Sequence, residues 1–546
     1  MRIQTLVGAL ALSTLMVACG EQTAPAQAAQ PALTADANTL QSHLEFLASD
    51  ALEGRDTGSR GHEIAAQYIA AKFKALGLEP AGDDGTYYQR VGFRRSTLKE
   101  GSAAFAIHTG ESTVELAYGD AFLTGPSAYA ATNEVTAPVV FVGYGLVSDE
   151  FGLNDYANVD VDGKIVVMVS GRPESLPSEE GAHLNSSKTR FAAERGAVGI
   201  ITLHTPAREE VRPFKVSAMY QRAPSVTWLN PEGEPNVAYK NIQGAAYLDY
   251  RAAEPLFSNA AIRMDDVFAQ LEKGDQPKPF ELNVSVTLKR ASEHEEISSP
   301  NVAAILPGSD PELKNEYVLY TAHSDHIGMT QDLSQDDHIN NGAMDNASGV
   351  SVMLETARMF TEAAERPKRS ILFLSITAEE RGLLGADYFA HYPTVPLQSI
   401  VANVNLDMPV LLYDFADVIA FGSTHSTLGE TVAAAAGKFD IALSDDPMPE
   451  QAIFTRSDHY PFVKKGVPAV FLMTGFTAKN EDEDGGKIWG EFFAEHYHRP
   501  SDAPTLPINY EAGVVFTNIN FEIGQAIAND AERPRWLPDS FFANLD

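Results

Sequence analysis

The 546-residue chain carries 74 Asp and Glu against 40 Lys and Arg, a formal net charge of −34, and 44% of its residues are hydrophobic. At roughly 100–200 residues per domain this length predicts about three units, each apolar enough to build a core, which excludes global disorder. A chain this negative repels phosphate backbones, and no run of Lys and Arg offsets the charge, so nucleic acid is not an expected partner. Cys19 is the only cysteine. A disulfide framework and thiolate-based zinc or iron–sulfur sites are therefore excluded, and a metal would need His and carboxylate.

The chain opens with Met1-Arg2 and an apolar run from Leu6 to Ala18, shorter than the roughly 20 residues of a spanning helix. It reads as an export signal. Leu15-Met16-Val17-Ala18-Cys19 resembles a bacterial lipobox. The resemblance implies a lipoprotein signal over 1–19, lipid anchoring to a membrane through Cys19, and a place on the bacterial cell envelope. Gly20 fits outer-membrane sorting, facing the periplasm. An ordinary cleaved signal, giving a secreted or periplasmic protein, is the alternative. Residues 20–37, rich in Ala, Gln, Thr and Pro, read as a flexible tether.

Residues 38–111 carry two helical patterns before Gly77, separated by the glycine-rich Gly54–Gly61, which lacks the ending of a phosphate-binding loop and reads as structural. Over 112–298 the texture becomes short apolar runs such as Val139–Val142, Ile165–Val169 and Val198–Leu203, divided by Gly, Pro and Asp. This stretch resembles the protease-associated domain, a small β-rich insert. From 299 to 546 strand-like runs (Tyr317–Ala322, Ser370–Thr377, Ile400–Leu406, Val418–Phe421, Ala469–Met473) alternate with helical stretches, the last near Tyr510–Ala528. The fold class is therefore α/β, a mostly parallel sheet flanked by helices, with a β-rich insert.

Five segments place His, Asp or Glu just after a strand or before a helix, where ligand crevices of open α/β sheets form. They are His323-Ser324-Asp325-His326, Gly342–Gly349 with Asp345, Glu379-Glu380, Asn405-Leu406-Asp407, and His496-Tyr497-His498 running on to Asp502. Taken singly each is bland: Asp345 or Asn346 reads as a helix N-cap, and the Glu pair suits a helix dipole. Taken together, His323, Asp345, Glu380, Asp407 and His498 could bind two metal ions with Asp345 bridging. Each ion then has three protein ligands and an open position, as catalytic zinc sites do. Imidazole plus carboxylate suits zinc best, with cobalt or manganese as alternatives. Glu379 remains free as general base, and Asp325 lies two residues from His323, able to take its other N–H.

The ordered set AHSDH, GAMDNASG, AEERGLLG, NLDM and YHRPSD resembles the co-catalytic di-zinc aminopeptidase and glutamate carboxypeptidase family, MH-clan metallopeptidases. The resemblance implies a zinc exopeptidase-like fold and two Zn2+, one on His323 and Asp407, the other on Glu380 and His498. It also implies Asp345 as the bridge, Glu379 as base, Asp325 as the orienting acid and Tyr497 as an oxyanion donor. Ser457–Tyr460 matches a recurring family segment near the metals; His326, His459 and His496 stand outside the ligand set. The expected function is a zinc-dependent exopeptidase, foremost an aminopeptidase acting on peptide substrates. A carboxypeptidase or dipeptidase is disfavoured by the short stretch after His498, a glutaminyl cyclase by the presence of His323, and a non-catalytic receptor-like protein by the intact ligand set. The acidic run Glu481–Asp484 reads as solvated surface.

Overall fold

Every residue of the strand Ser370–Ile376 is buried, and its side chains alternate between two separate apolar clusters. Ile371 and Phe373 pack with Val318, Tyr320 and Val404, whereas Leu372, Leu374 and Ile376 pack with Leu319, Phe389 and Phe462. A strand covered on both faces has no polar side, which accounts for the nearly continuous apolar run in the sequence, interrupted by Ser375. The architecture comes from a computed structural model that describes residues 1, 33–110, 112–220, 224–330 and 336–545. Thr34–Asp546 form one compact unit. The export signal, Cys19 and most of the tether lie outside the described residues. Among the described residues no helix is long and apolar enough to cross a membrane.

Ser370–Ile376 pairs in parallel with Tyr317–His323, which pairs in parallel with Ile400–Asn405, and that in turn with Ala469–Thr474. Antiparallel strands close the block on both sides: the end of Phe280–Leu306 lies against Ser370–Ile376, and Asp417–Phe421 against Ala469–Thr474. Helices Ala37–Leu47, Arg60–Ala75, Gly349–Glu362 and Tyr510–Asn529 bury apolar residues on one face, and Leu384–His391 covers the other. The fold is thus a large mixed, mostly parallel sheet flanked by helices.

A second sheet region has its own cores. Ile165–Val169, Gly199–Leu203 and Gly244–Leu248 run parallel, and their side chains again divide between two clusters, Val167 and Ile201 on one side, Val166 and Ile200 on the other. This region begins earlier than 112: Ala104–His108 pairs with Phe280–Leu306, and Phe105 and Ile107 are buried in its core. Five residues of strand are too short to stand out from the preceding texture. At its far end no loop marks a boundary. Phe280–Leu306 is one 27-residue strand whose first half pairs with Thr132–Phe141 and whose second half pairs with Tyr88–Leu98.

Candidate metal centre

The parallel strands end on one edge, and the polar segments follow directly. His323 is the last residue of its strand, Glu379 and Glu380 lie in the loop after Ile376, and Asp407 follows the strand that ends at Asn405. Three of these loops contain a non-glycine residue in the left-handed region: Ala378 just before Glu379, Met408 just after Asp407, and His498 itself, at φ 57°, 43° and 58°. Such backbone costs on the order of 1–3 kcal/mol per residue and persists where surrounding contacts impose it.

The five residues that the sequence groups come together. His323 Nε2 is 3.1 Å from Asp407 Oδ1 and 3.3 Å from Asp345 Oδ1; His498 Nε2 is 3.2 Å from Asp345 Oδ2 and 3.1 Å from Glu380 Oε2. The two oxygens of Asp345 thus face the two halves of the cluster. Glu379 stands further out, its Oε2 3.9 Å from His323 Nε2. Tyr497 stacks on the His498 ring with centroids 3.9 Å apart, and its hydroxyl accepts from Arg456 at 3.3 Å.

Two local expectations need correction. Asp345 is not an N-cap: the α-helix begins at Gly349, and Asp345 precedes it in a non-helical conformation. Asn346 does the capping, its Oδ1 accepting from Gly349 N and from Met408 N, both at 3.0 Å, while its Nδ2 donates to Leu406 O at 3.0 Å. One side chain thereby ties the loop that presents Asp345 to the loop that presents Asp407. Gly349 permits the approach, since a Cβ there would lie 2.4 Å from Leu406 O.

The second correction concerns Asp325. The group at 3.1 Å from His323 Nδ1 is the backbone carbonyl of Asp325; its carboxylate is 3.9 Å away. That carboxylate instead accepts from Glu379 N at 3.0 Å and from Thr57 Oγ1 at 3.1 Å. Residue spacing alone does not distinguish a backbone acceptor from a side-chain one. An Nδ1–H donated to the carbonyl leaves Nε2 facing the cluster.

Four further residues support the cluster, of which Ser457 lies in a segment already marked by the family resemblance. His326 Nδ1 lies 2.6 Å from Glu380 Oε1 and 4.0 Å from Asp345 Oδ2, and its signal was its position three residues after His323 in the same post-strand loop. Asp502 accepts from Met344 N at 2.8 Å and Asp345 N at 3.1 Å. Ser457 donates to Asp407 Oδ2 at 2.5 Å and accepts from Asn405 Nδ2 at 2.6 Å. Arg55, from the glycine-rich loop, is fully buried and donates to the carbonyls of Leu47, Asn341, Gly342 and Ser324. Gly54, at φ 69°, lets this loop run so close to Gly328 that a Cβ would sit 2.5 Å from its carbonyl. His496 bonds Ser501 at 3.0 Å. Asp484 caps the helix Gly485–Glu495 from an exposed acidic run.

The electrostatics follow from crowding. Burial would lower the His323 and His498 pKa values, but the carboxylates around them reverse this and raise both well above the ordinary imidazole value. Burial and Asp345 press Glu380 upward, yet His498 and His326 hold it down at about 2. Burial drives Glu379 well above its usual range, reinforced by Asp407, Glu380 and Asp458. Burial likewise pushes Asp325 up to about 6. Two groups within this set, His323 with Glu379 and Asp407, and His326 with Asp345 and Glu380, converge closely enough to hold an ion each. Four buried carboxylates beside three imidazoles, with no thiolate, form a donor set that fits borderline divalent cations.

The fold and this cluster define an α/β protein with an imidazole–carboxylate cluster at the strand ends that could hold metal ions. Residues 301–521, which hold every residue of the cluster, match the family model described as Peptidase family M28. The five ordered motifs all lie within these matched residues.

Curated relatives include the probable leucine aminopeptidase 2 of Aspergillus oryzae, 25% identical over 320 residues, 56% of this chain and 60% of the relative. Leucine aminopeptidase 2 of Trichophyton rubrum is 28% identical over 265 residues, 47% of this chain and 49% of the relative. The chain thus spans about half to three-fifths of the length of these relatives. Among solved structures, the aminopeptidase from Aneurinibacillus sp. strain AM-1 shares the fold, with a TM-score of 0.51 and 20% identity over 92% of this chain and 96% of that one.

Proposed function

We propose that the protein is a zinc-dependent metallo-exopeptidase, foremost an aminopeptidase, that releases the N-terminal residue of peptides. The observation that carries this reading is Asp345, whose two oxygens lie 3.3 Å from His323 Nε2 and 3.2 Å from His498 Nε2. That arrangement suits one carboxylate shared between two ions, with His323 and Asp407 completing one site and Glu380 and His498 the other. The leucine aminopeptidase names of the relatives support the same reading. When bound, such ions polarise the scissile carbonyl and acidify water.

The chain's own groups would do the rest. Glu379 takes a proton from the attacking water on its carboxylate and passes it to the departing amine nitrogen. Asp325 fixes Glu379 through the backbone N–H. His326 fixes Glu380 at 2.6 Å. Tyr497 accepts a hydrogen bond from Arg456, so its own O–H is free to donate to the developing oxyanion.

Hydrolysis of aminoacyl anilides, set against N-acetylated anilides and against release of C-terminal residues, tests the reading. Cleavage of free-amine substrates alone is expected, and activity confined to blocked N-termini would contradict it. We also propose that Cys19 anchors this peptidase to an envelope membrane; a Cys19→Ser chain that stays with the membrane fraction would contradict that placement.

A further inference from the structure

The strand Ile400–Asn405 is buried along its whole length, yet two of its six residues are asparagines. Ala402 and Val404 pack into the apolar cluster on one face, so strand alternation turns Asn403 and Asn405 to the other, where Leu319 and Phe462 lie. Thr321, in register with Asn405 on the neighbouring parallel strand, alternates with Tyr320 and Ala322 and shares that second face. All three polar residues are completely buried. A polar group buried without a partner is costly, and apolar side chains of similar size would avoid that cost.

What offsets it is an unbroken chain of hydrogen bonds that ends on Asp407. Asn403 Nδ2 donates to Thr321 Oγ1 at 2.9 Å, and Thr321 Oγ1 donates to Asn405 Oδ1 at 2.7 Å. Asn405 Nδ2 donates to Ser457 Oγ at 2.6 Å, and Ser457 Oγ donates to Asp407 Oδ2 at 2.5 Å. Every donor points the same way. The direction is dictated from the Asp407 end, because a carboxylate only accepts. Ser457 must give its one proton to Asp407 and therefore accepts from the Asn405 amide nitrogen. That sets the Asn405 carbonyl oxygen against Thr321, whose own proton goes to it, and leaves a Thr321 lone pair for Asn403. No member can turn round without setting a buried donor or acceptor against its like. The one unpartnered side-chain atom of the chain, Asn403 Oδ1, lies at the end remote from Asp407.

The two oxygens of Asp407 thus have different surroundings. Oδ2 is tied to the sheet through Ser457, while Oδ1 faces the cluster, 3.1 Å from His323 Nε2. Thr321 belongs to the strand that ends in His323, so the chain couples the strand presenting His323 to the strand presenting Asp407. Successive hydrogen bonds in such a chain polarise one another. Glu380, on the other side of Asp345, is held instead by His326 at 2.6 Å.

We propose that Asn403, Thr321 and Asn405 are positioning residues for Asp407. Their chain fixes the orientation of its carboxylate and strengthens the cation site that His323 and Asp407 would form, leaving the site of Glu380 and His498 unaffected. This rests on the reading of the cluster as two cation sites.

Cobalt(II) binding by the purified chain tests it, read by chelator competition and by the visible absorption of the bound ion, beside a melting curve of the metal-free protein. Thr321→Val keeps the side-chain shape and removes the hydroxyl in the middle of the chain, which bonds none of the proposed ligands directly. It is expected to weaken one of two cobalt sites about tenfold and to alter that site's absorption, the lower end of what groups that orient ligands contribute. The other site should not change. Thr321→Ser, which restores the hydroxyl, is expected to recover both affinity and spectrum. A purely structural role would lower the melting temperature of Thr321→Val but leave affinities and spectrum as in wild type, and that result would overturn the proposal. Equal weakening of both sites, or a Thr321→Ser chain no better than Thr321→Val, would overturn it too. If Thr321→Val does not fold, Asn403→Leu, which removes only the first donor, takes its place with the same expected pattern. A wild-type chain that takes up no cobalt also ends the proposal. Two cobalt ions bound by a wild-type chain that, loaded with zinc, cleaves neither peptides nor anilides would end the exopeptidase reading alone, and the affinities would still decide the role of the chain of hydrogen bonds.

Discussion

Replacing Glu379 with glutamine separates catalysis from metal binding. The amide has the same shape, and the backbone N–H of residue 379 still reaches Asp325 Oδ1 at 3.0 Å. Glu379 Oε2 stands 3.9 Å from His323 Nε2, further out than Asp407 at 3.1 Å and Asp345 at 3.3 Å, so two closer carboxylates remain to hold an ion. What is lost is a proton acceptor. General acid–base catalysis contributes roughly 10²–10⁴-fold, about 2.7–5.4 kcal/mol of barrier. The variant should therefore lose that much kcat on an aminoacyl anilide, with KM within a few-fold and metal content unchanged. Thermal stability should not fall, because the substitution removes one of several crowded carboxylates. Steady-state kinetics, elemental analysis and a melting curve decide the matter together. Retention of more than about a tenth of kcat, or loss of metal with activity, would refute the assignment of Glu379 as base rather than ligand.

Ser457→Ala removes the hydroxyl that bonds both Asp407 and Asn405; metal affinity should fall about 10- to 100-fold in a chelator competition, as for other groups that orient ligands. Arg55→Met leaves four buried carbonyls without their donor and should cost more than about 3 kcal/mol in urea unfolding. The metal-free pKa values of His323 and His498 are raised well above the ordinary value, so below those values both imidazoles carry protons that a cation must displace. Apparent zinc affinity should then fall as pH falls through and below neutrality, by about tenfold per pH unit for each proton displaced. A pH-independent affinity between pH 5 and 7, measured with a competing chelator of known protonation, would contradict this.

The sequence made the catalytic sheet legible because its strands are buried on both faces. Continuous apolar runs locate Tyr317–His323, Ser370–Ile376 and Ile400–Asn405 to within a residue or two, and the polar residues that follow them mark the sheet's functional edge. What stayed hidden depends on backbone geometry or on partners distant in the chain. Asp345 looks like a cap because a helix follows, but the turn that intervenes is set by Asn346 bonding across to Met408 and Leu406. Asp325 looks like the partner of His323, yet its backbone carbonyl has that position and its side chain holds Glu379. The glycine-rich loop reads as structural, which Arg55 fits, although nothing local indicates that Arg55 reaches the carbonyls of Asn341 and Gly342 beside the Asp345 turn. The strand Phe280–Leu306 crosses between two sheet regions, so composition shows a change of texture where the fold has continuity.

The central claim is that Asp345 joins two cation sites. Elemental analysis of the purified chain after dialysis against zinc, wild type beside Asp345→Asn, tests it most directly. The account predicts two ions per wild-type chain and at most one, weakly held, in the variant. A single ion in both, or full activity after a chelator has removed all metal, would contradict it.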